Sequence, residues 1–429
     1  MKSFVPRQSI SIRWSEFIQA ICAIPFKSGC GEDVAKWERR FADFIGVPHA
    51  TSFISERAGT YFALKALKET NRWVDPEIIC PSYTFFSVPW AAKLAGWELR
   101  FADVAREDLN MDPGSLRRQI NKRTRAIIVT HLNGKPCKIA EIAHIAHEHN
   151  LRLLEDCAHT VGIKLHGRQV GSWDIGCFSF GDGKNLGTFC GGMITSSDDG
   201  LEKALRSAVA GFPAQPTVQV LKKCFDSLLL KTLTTGIFYP LFLYPLLRWF
   251  GYLSADNRKK DFLNFIRRTT ERDLAFKYSD VQALTGLTQL EFVEERNNIR
   301  RANSAAFRRA LSPKALGKML PWDGEEPHTM LHDAIAVDDT MDIARQSLTE
   351  GIDVRLDYCG NCRNLPGMES HPGEDEIGRQ LDGRICFIPN HLNMNTTLAR
   401  RIAPVIDGLC ASASGMIDTR CLAASPNPD

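Results

Sequence analysis

The chain has 429 residues, 44% hydrophobic and 24% charged, a globular composition too long for one small core, so two domains are expected. Its formal net charge of +3 and the lack of a dense basic stripe exclude nucleic acid as an expected partner. Met1–Arg7 lacks the apolar run of a secretory signal, and thirteen scattered cysteines fit reduced thiols of a cytoplasmic protein, many of them buried. Cys359 and Cys362 form a lone CxxC without a second pair, so no metal or redox site is expected there.

From about residue 30 to 200, strand-like and helix-like segments alternate. Glu77–Pro81 reads as a buried strand ending at proline, 88–95 as a helix, and Leu99–Val104 as an alternating strand. Ala126–Val129 predicts a strand, Ile139, Ile142, Ala143 and Ala146 one face of a helix, and Leu151–Leu154 a further strand. These three form a βαβ unit with a parallel pair. Ligands of such sheets bind beyond the carboxyl ends of the strands, and Asp156 lies at one of those ends. His144, His147 and His149 do not share one face of the helix, which reads as solvated.

Residues 201–270 break the alternation. Thr232–Leu247 carries no charge but is too short to span a bilayer, and Pro240 and Pro245 interrupt it. A buried excursion packed on the domain or a partner subunit is the leading expectation. The alternative is peripheral membrane contact through 232–253, with Trp249 and Tyr252 at the interface and basic residues on both flanks. One long helix is then predicted through Gln282, Leu284, Leu287, Leu290 and Val293. Beyond about 315 the pattern is α+β, with strands at Ile352–Arg355 and Ile385–Ile388 and a helix at Thr397–Ile406. The tail from Ser412 is expected to be mobile.

The chemistry converges on Asp156 and on Lys184, which follows it by twenty-eight residues. An acid closing a buried strand, then a serine and a lysine at the next loop, suit pyridoxal phosphate, which needs a carboxylate at its ring nitrogen, donors at its phosphate and an amine for its aldehyde. The string from Glu155-Asp156-Cys157-Ala158-His159-Thr160 through Gly167–Ser172 and Asp174–Phe180 to Lys184-Asn185-Leu186 and Gly191-Gly192 resembles the DegT/StrS-type sugar aminotransferase family. Pro81–Phe85, Leu109–Asp112, His131–Gly134 and Asp280–Leu284 resemble further family segments in the same order, so the resemblance runs from about 28 to 408.

The resemblance implies an α/β fold: an aspartate-aminotransferase-like (fold type I) large domain over 1–290 with a mostly parallel sheet and an apolar insertion at about 211–270. A smaller C-terminal α+β domain covers 291–411. It implies Lys184 as the amine that pairs with the cofactor and then moves protons, Asp156 at the ring nitrogen, and His159 over the ring where the family often has Gln. Phe85 would stack on the ring and Ser179 would donate to the phosphate, as would the helix start Ser55-Glu56-Arg57. Most of the family has Ser-Gly-Thr there, so Glu56 would have to point away. Ala275 and Lys277 stand where the family often has Asn and Arg reaching a neighbouring subunit's phosphate. Arg355 and Tyr358 are the expected substrate residues. The implied reaction moves an amino group from glutamate or glutamine to a nucleotide-linked keto-sugar in a homodimer with shared active sites. The family's dehydratase branch has His in place of this lysine. Alternatives are a transaminase of a lipid-linked or other apolar carbonyl, and a non-catalytic cofactor-binding regulator on a membrane.

Overall fold

The computed structural model describes residues 3–24, 31–250, 263, 269–322, 327–356 and 359–412. Its centre is a seven-stranded sheet of β1 (His49–Phe53), β2 (Glu77–Pro81), β3 (Glu98–Ala102), β4 (Thr124–Thr130), β5 (Arg152–Asp156), β6 (Ile175–Ser179) and β7 (Gly192–Ser196). The spatial order is β1-β7-β6-β5-β4-β2-β3. Every pairing from β6 to β3 is parallel, and β7 runs antiparallel to both of its neighbours.

Side chains alternate across each strand, and here both faces are covered, so the strands read as continuous apolar runs. Ile78, Ile128 and Leu154 pack on one side with α3 (Glu56–Thr70), through Leu64 and Leu67. Ile79, Ile127 and Leu153 face the other side, where α4 (Ile139–Glu148) buries Ile139, Ile142 and Ile145. The predicted βαβ unit is β4–α4–β5, in register with Thr130 opposite Asp156. Residues Ser87–Leu94 form the expected helix.

The long helix expected through Val293 is two helices, Asp280–Leu290 and Val293–Arg308. Phe292 leaves helical geometry at φ −109°, ψ 7°, and its ring is covered by the Arg13 guanidinium at 3.8 Å. The second of these helices starts in the cluster around Trp37, Phe41 and Phe178 and ends in a separate one. That second cluster holds Val5, Phe307, Ile335, Ile388, Ile402 and Ile406. It surrounds β8 (His332–Ala336) and β9 (Ile385–Pro389), an antiparallel pair, and the helix Thr396–Ser412. The strand expected at Ile352–Arg355 is absent. That stretch makes only single bridges, Ile352 with Val5 and Arg355 with Phe387, because two different segments share it, Val5 bonding Gly351 and Asp353 and Phe387 bonding Arg355. Of the expected mobile tail, residues 413–429 lie outside the described residues.

The apolar excursion is not a buried one within this chain. It comprises the helix Thr217–Leu233, a π turn at Tyr239–Leu243 and the helix Tyr244–Phe250. Pro240 sits at the second residue of the π turn, where a missing N–H costs no hydrogen bond, whereas Pro245 falls where the π turn passes into the following helix. Tyr239 is buried, whereas Ile237, Phe238, Leu241, Phe242 and Leu246 are exposed. Among the described residues no helix is long and apolar enough to cross a membrane.

Candidate active site

The carboxyl ends of the parallel strands open into a cavity of about 310 Å³. Ser55, Glu56, Arg57, Phe85, Asp156, His159, Ser179, Lys184 and Arg355 line it together. Lys277 does not: its exposed side chain lines a separate depression with Ala214–Thr217 and Tyr278. Tyr358 lies outside the described residues.

Helix α3 aims its N-terminus at this cavity. Ser55, in extended conformation, caps the helix by accepting the Ala58 N–H at 3.2 Å, which leaves other first-turn N–H groups for an anion. Strand β7 runs tight against that terminus. A Cβ on Gly192 would meet the Glu56 backbone nitrogen at 2.3 Å, so only glycine permits the approach.

Glu56 is tied back to its own helix. Its carboxylate accepts the Thr60 hydroxyl at 2.7 Å, one turn along the helix. It does not leave the cavity, as the resemblance would require, but stays in its wall, where burial and then Asp156 push its carboxyl up to about 7.

Asp156 ends β5, and its Oδ1 accepts the Ala158 N–H at 3.0 Å. Burial raises its carboxyl above the usual range, while that N–H and the Lys184 charge pull the other way. Behind it, Glu155 points into the core and accepts the N–H groups of Gly171 (2.9 Å) and Trp173 (2.8 Å). Glu155, His131 and Cys157 are close enough to hold an ion. However, His131 Nδ1 accepts the Cys137 N–H, so the ring proton sits on Nε2, facing Glu155 at 3.3 Å. That arrangement clasps the loop after β5 and leaves the imidazole no lone pair to offer a metal.

Lys184 rides the loop after β6. Phe180 N–H to Gly191 and Thr188 N–H to Phe180 close the loop base at 2.9 Å each, and Lys184 N–H reaches Gly181 at 3.2 Å. Phe189 and Cys190 are held at φ 60° and 104°, sparsely populated for residues with side chains. The helix Asp280–Leu290 compensates: Gln282 donates to the carbonyls of Thr188 and Cys190, and Gln289 brackets Gly187. On the far side of the loop, the Ser227 hydroxyl of the apolar excursion donates to Asp182 at 2.7 Å.

Lys184 Nζ lies 2.8 Å from His159 Nε2. The other ring nitrogen, Nδ1, accepts the Asn133 N–H at 3.2 Å, so the neutral ring carries its proton on Nε2, where it can donate to Nζ of the free amine but not to an ammonium. Burial first, then Lys184, His332 and Arg355, hold this imidazole well below its usual pKa, so the ring is neutral. Thr329 anchors the same residue by donating to the His159 carbonyl at 2.7 Å.

Sequence reasoning missed Thr130, Ser87, Leu331, His332 and Cys190, all in the cavity wall. Thr130 was findable, since it ends the strand beside Asp156. Leu331 and His332 carry no local signal, because β8 and the segment before it bring them in from the other hydrophobic cluster.

An open, mostly parallel sheet that gathers a lysine, an acid and a helix N-terminus at its carboxyl edge has the aspartate-aminotransferase-like, fold type I architecture. The sequence profile of the DegT/DnrJ/EryC1/StrS aminotransferase family matches residues 17–407, and the chain belongs to that family. It is 32% identical over 181 residues to a GDP-perosamine synthase of Vibrio cholerae, which covers 42% of this chain and 48% of that protein. It is 38% identical over 173 residues to a UDP-N-acetyl-3-dehydro-alpha-D-glucosamine 3-aminotransferase of Acidithiobacillus ferrooxidans, covering 39% and 46%. The match thus spans about half the length of these curated relatives. Among solved structures, Helicobacter pylori PseC, an aminotransferase of pseudoaminic acid biosynthesis, superposes with TM-score 0.74 at 17% identity over 96% of this chain and all of that one. The E. coli GDP-4-keto-6-deoxy-D-mannose-3-dehydratase with bound hydrated PLP gives 0.71 at 19% identity, covering 96% and 99%. At such identities these two establish the fold.

Proposed function

We propose that this chain is a pyridoxal-phosphate-dependent aminotransferase that moves an amino group from glutamate or glutamine to a keto group of a nucleotide-linked sugar. The product would serve cell-surface polysaccharide or secondary-metabolite assembly, in the cytoplasm. The observation that carries this reading is the convergence of Lys184, Asp156 and the N-terminus of α3 on one cavity. The relatives named for perosamine and amino-glucosamine synthesis support a keto-sugar nucleotide as acceptor. Lysine at position 184, where the dehydratase branch has histidine, favours transfer over dehydration.

When bound, pyridoxal phosphate supplies an aldehyde carbon and a protonated ring that draws electrons from the substrate Cα–H bond. Asp156 would hold the proton on the ring nitrogen, where the cation would offset the cost of burying the carboxylate. The first N–H groups of α3, the Ser179 hydroxyl and the Arg57 guanidinium would hold the phosphate. Phe85 would stack against the ring. Lys184 would pair with the cofactor's aldehyde and, as a free amine, would serve as the base and acid that moves the substrate's Cα proton. His159, neutral and fixed by the Asn133 N–H, orients that amine through its Nε2–H. Arg355 receives the carboxylate of the amino donor. Glu56 suits a phosphate only as a neutral acid, because a carboxylate beside it would repel the dianion.

We read residues 1–290 as the cofactor-holding domain and 291–411 as the smaller domain that brings Leu331, His332 and Arg355. The exposed Lys277 suits the phosphate site of a second subunit in a homodimer. A second reading of the acceptor, a carbonyl carried on a lipid, is favoured by the exposed apolar excursion.

The test is direct. Protein loaded with cofactor should show a visible absorption band that Lys184→Ala abolishes, and glutamate or glutamine should convert the cofactor to its amine form. Nitrogen-15 from the donor should then appear in an amino-sugar nucleotide from a panel of keto-sugar nucleotides. A spectrum unchanged by Lys184→Ala, or a cofactor inert to both donors, would overturn the reading.

A further inference from the structure

We propose that the helices Trp14–Ala23, Thr217–Leu233 and Tyr244–Phe250, with the π turn between the last two, form a docking face for an anionic lipid bilayer. On the helix Thr217–Leu233, Val218, Leu221, Phe225 and Leu229 recur at spacings of three and four and are all exposed, Phe225 to 62%. The opposite side of that helix buries Val220 and Cys224 against Phe17 and Ala20 of the helix Trp14–Ala23. That neighbour presents its own exposed stripe of Trp14, Ile18 and Ile21. Beyond the π turn, Trp249 is 85% exposed. Single exposed apolar residues need no explanation, but adjoining stripes on packed helices do.

Charge decides the occupant. Residues 211–270 hold nine Lys and Arg against three Asp, whereas the whole chain is only +3, so the rest of the molecule is net negative. Among the described residues of this stretch, Arg248 and Lys222 are exposed beside the apolar side chains, Lys222 in an exposed ion pair with Asp226 that a surface of competing anions can open. Two copies meeting face to face here would oppose like charges as they bury the stripes. An anionic bilayer takes both the apolar stripes and the cations, and each basic residue near such a surface contributes about 1 kcal/mol. The helix of 17 residues is about 25 Å long, and no described helix can cross the membrane, so the contact lies in the plane of the interface.

The experiment uses full-length cofactor-loaded protein sedimented with vesicles of phosphatidylcholine, alone or with a large share of phosphatidylglycerol. Binding should be strong to the anionic vesicles, weak to the neutral ones and reduced by salt. The double variant Phe225→Ser, Trp249→Ser should lower the bound fraction at least tenfold while keeping its solution activity. Sedimentation velocity of both proteins without lipid supplies the second readout. Equal binding of variant and parent overturns the proposal, as does failure of the parent to bind anionic vesicles. A variant that falls from dimer to monomer also overturns it, by assigning the face to a subunit contact. These outcomes are independent of whether the acceptor is a nucleotide sugar.

Discussion

Glu56 occupies the first position of α3, where an anion is expected to bind and where an acid is therefore costly. The folded chain holds its proton up to about pH 7, while the unfolded chain releases it near the ordinary glutamate value of 4.5. The sign follows from linkage. The stability tied to this proton is full below pH 4.5 and is lost as pH rises through about 7. Glu56→Gln should therefore flatten the fall in melting temperature between about pH 5 and about pH 8, and should bind cofactor more tightly than the parent at the upper end. Parallel pH profiles for the two proteins would count against this account. At His159, a ring with one acceptor and one donor serves two partners at once. His159→Ala leaves the Asn133 N–H without its acceptor and should slow the half-reaction with glutamate by roughly 10²-fold. His159→Gln should retain more of the rate, and equal losses in single-turnover traces would remove the orienting role. Asp156, Lys184 and Ser179 were legible because strand end, strand serine and loop lysine are local patterns with fixed order. His332 and Leu331 were not, since only the packing of two hydrophobic clusters delivers them.

At the level of elements, the helix Asp280–Leu290 is a brace for the lysine loop. Its Gln282 and Gln289 side chains are fully buried and occupied by loop backbone groups, and its Asp280 accepts the N–H groups of Gly31, Asp33 and Val34 at the start of the helix Glu32–Ile45. Gln282→Ala would strip the Thr188 and Cys190 carbonyls of a donor, costing about 1–3 kcal/mol. Thermal unfolding should show a clear drop, with the glutamate half-reaction slowed as the loop loosens; an unchanged melt would mean water replaces the amide without cost. The βαβ unit was readable from periodicity alone, because apolar runs buried on both faces and an amphipathic helix leave few alternatives. The break at Phe292 was not readable. Its apolar spacing continues across the junction, and the turn is set by what Arg13 and the surrounding core allow. The same holds for Ile352–Arg355, whose composition is that of a strand but whose neighbours offer one bridge each.

Across the whole molecule, the polypeptide leaves the sheet after β7, builds an amphipathic excursion and returns to brace the site. The excursion was visible as an uncharged stretch, but its burial could not be read from composition, since apolar residues serve a core and an interface alike. One of its links to the loop that carries Lys184 is the contact described above, from Ser227 to Asp182, two residues before Lys184. Burial raises the Asp182 carboxyl, and the Ser227 hydroxyl is the group that opposes this. On the docking proposed above, this contact would tie turnover to where the protein resides. A shift of that helix on meeting a surface would be passed to the lysine loop through this link, so anionic vesicles should change the rate of the glutamate half-reaction. In Ser227→Ala the wire is cut, and the rate should become blind to the vesicles even though the protein still sediments with them.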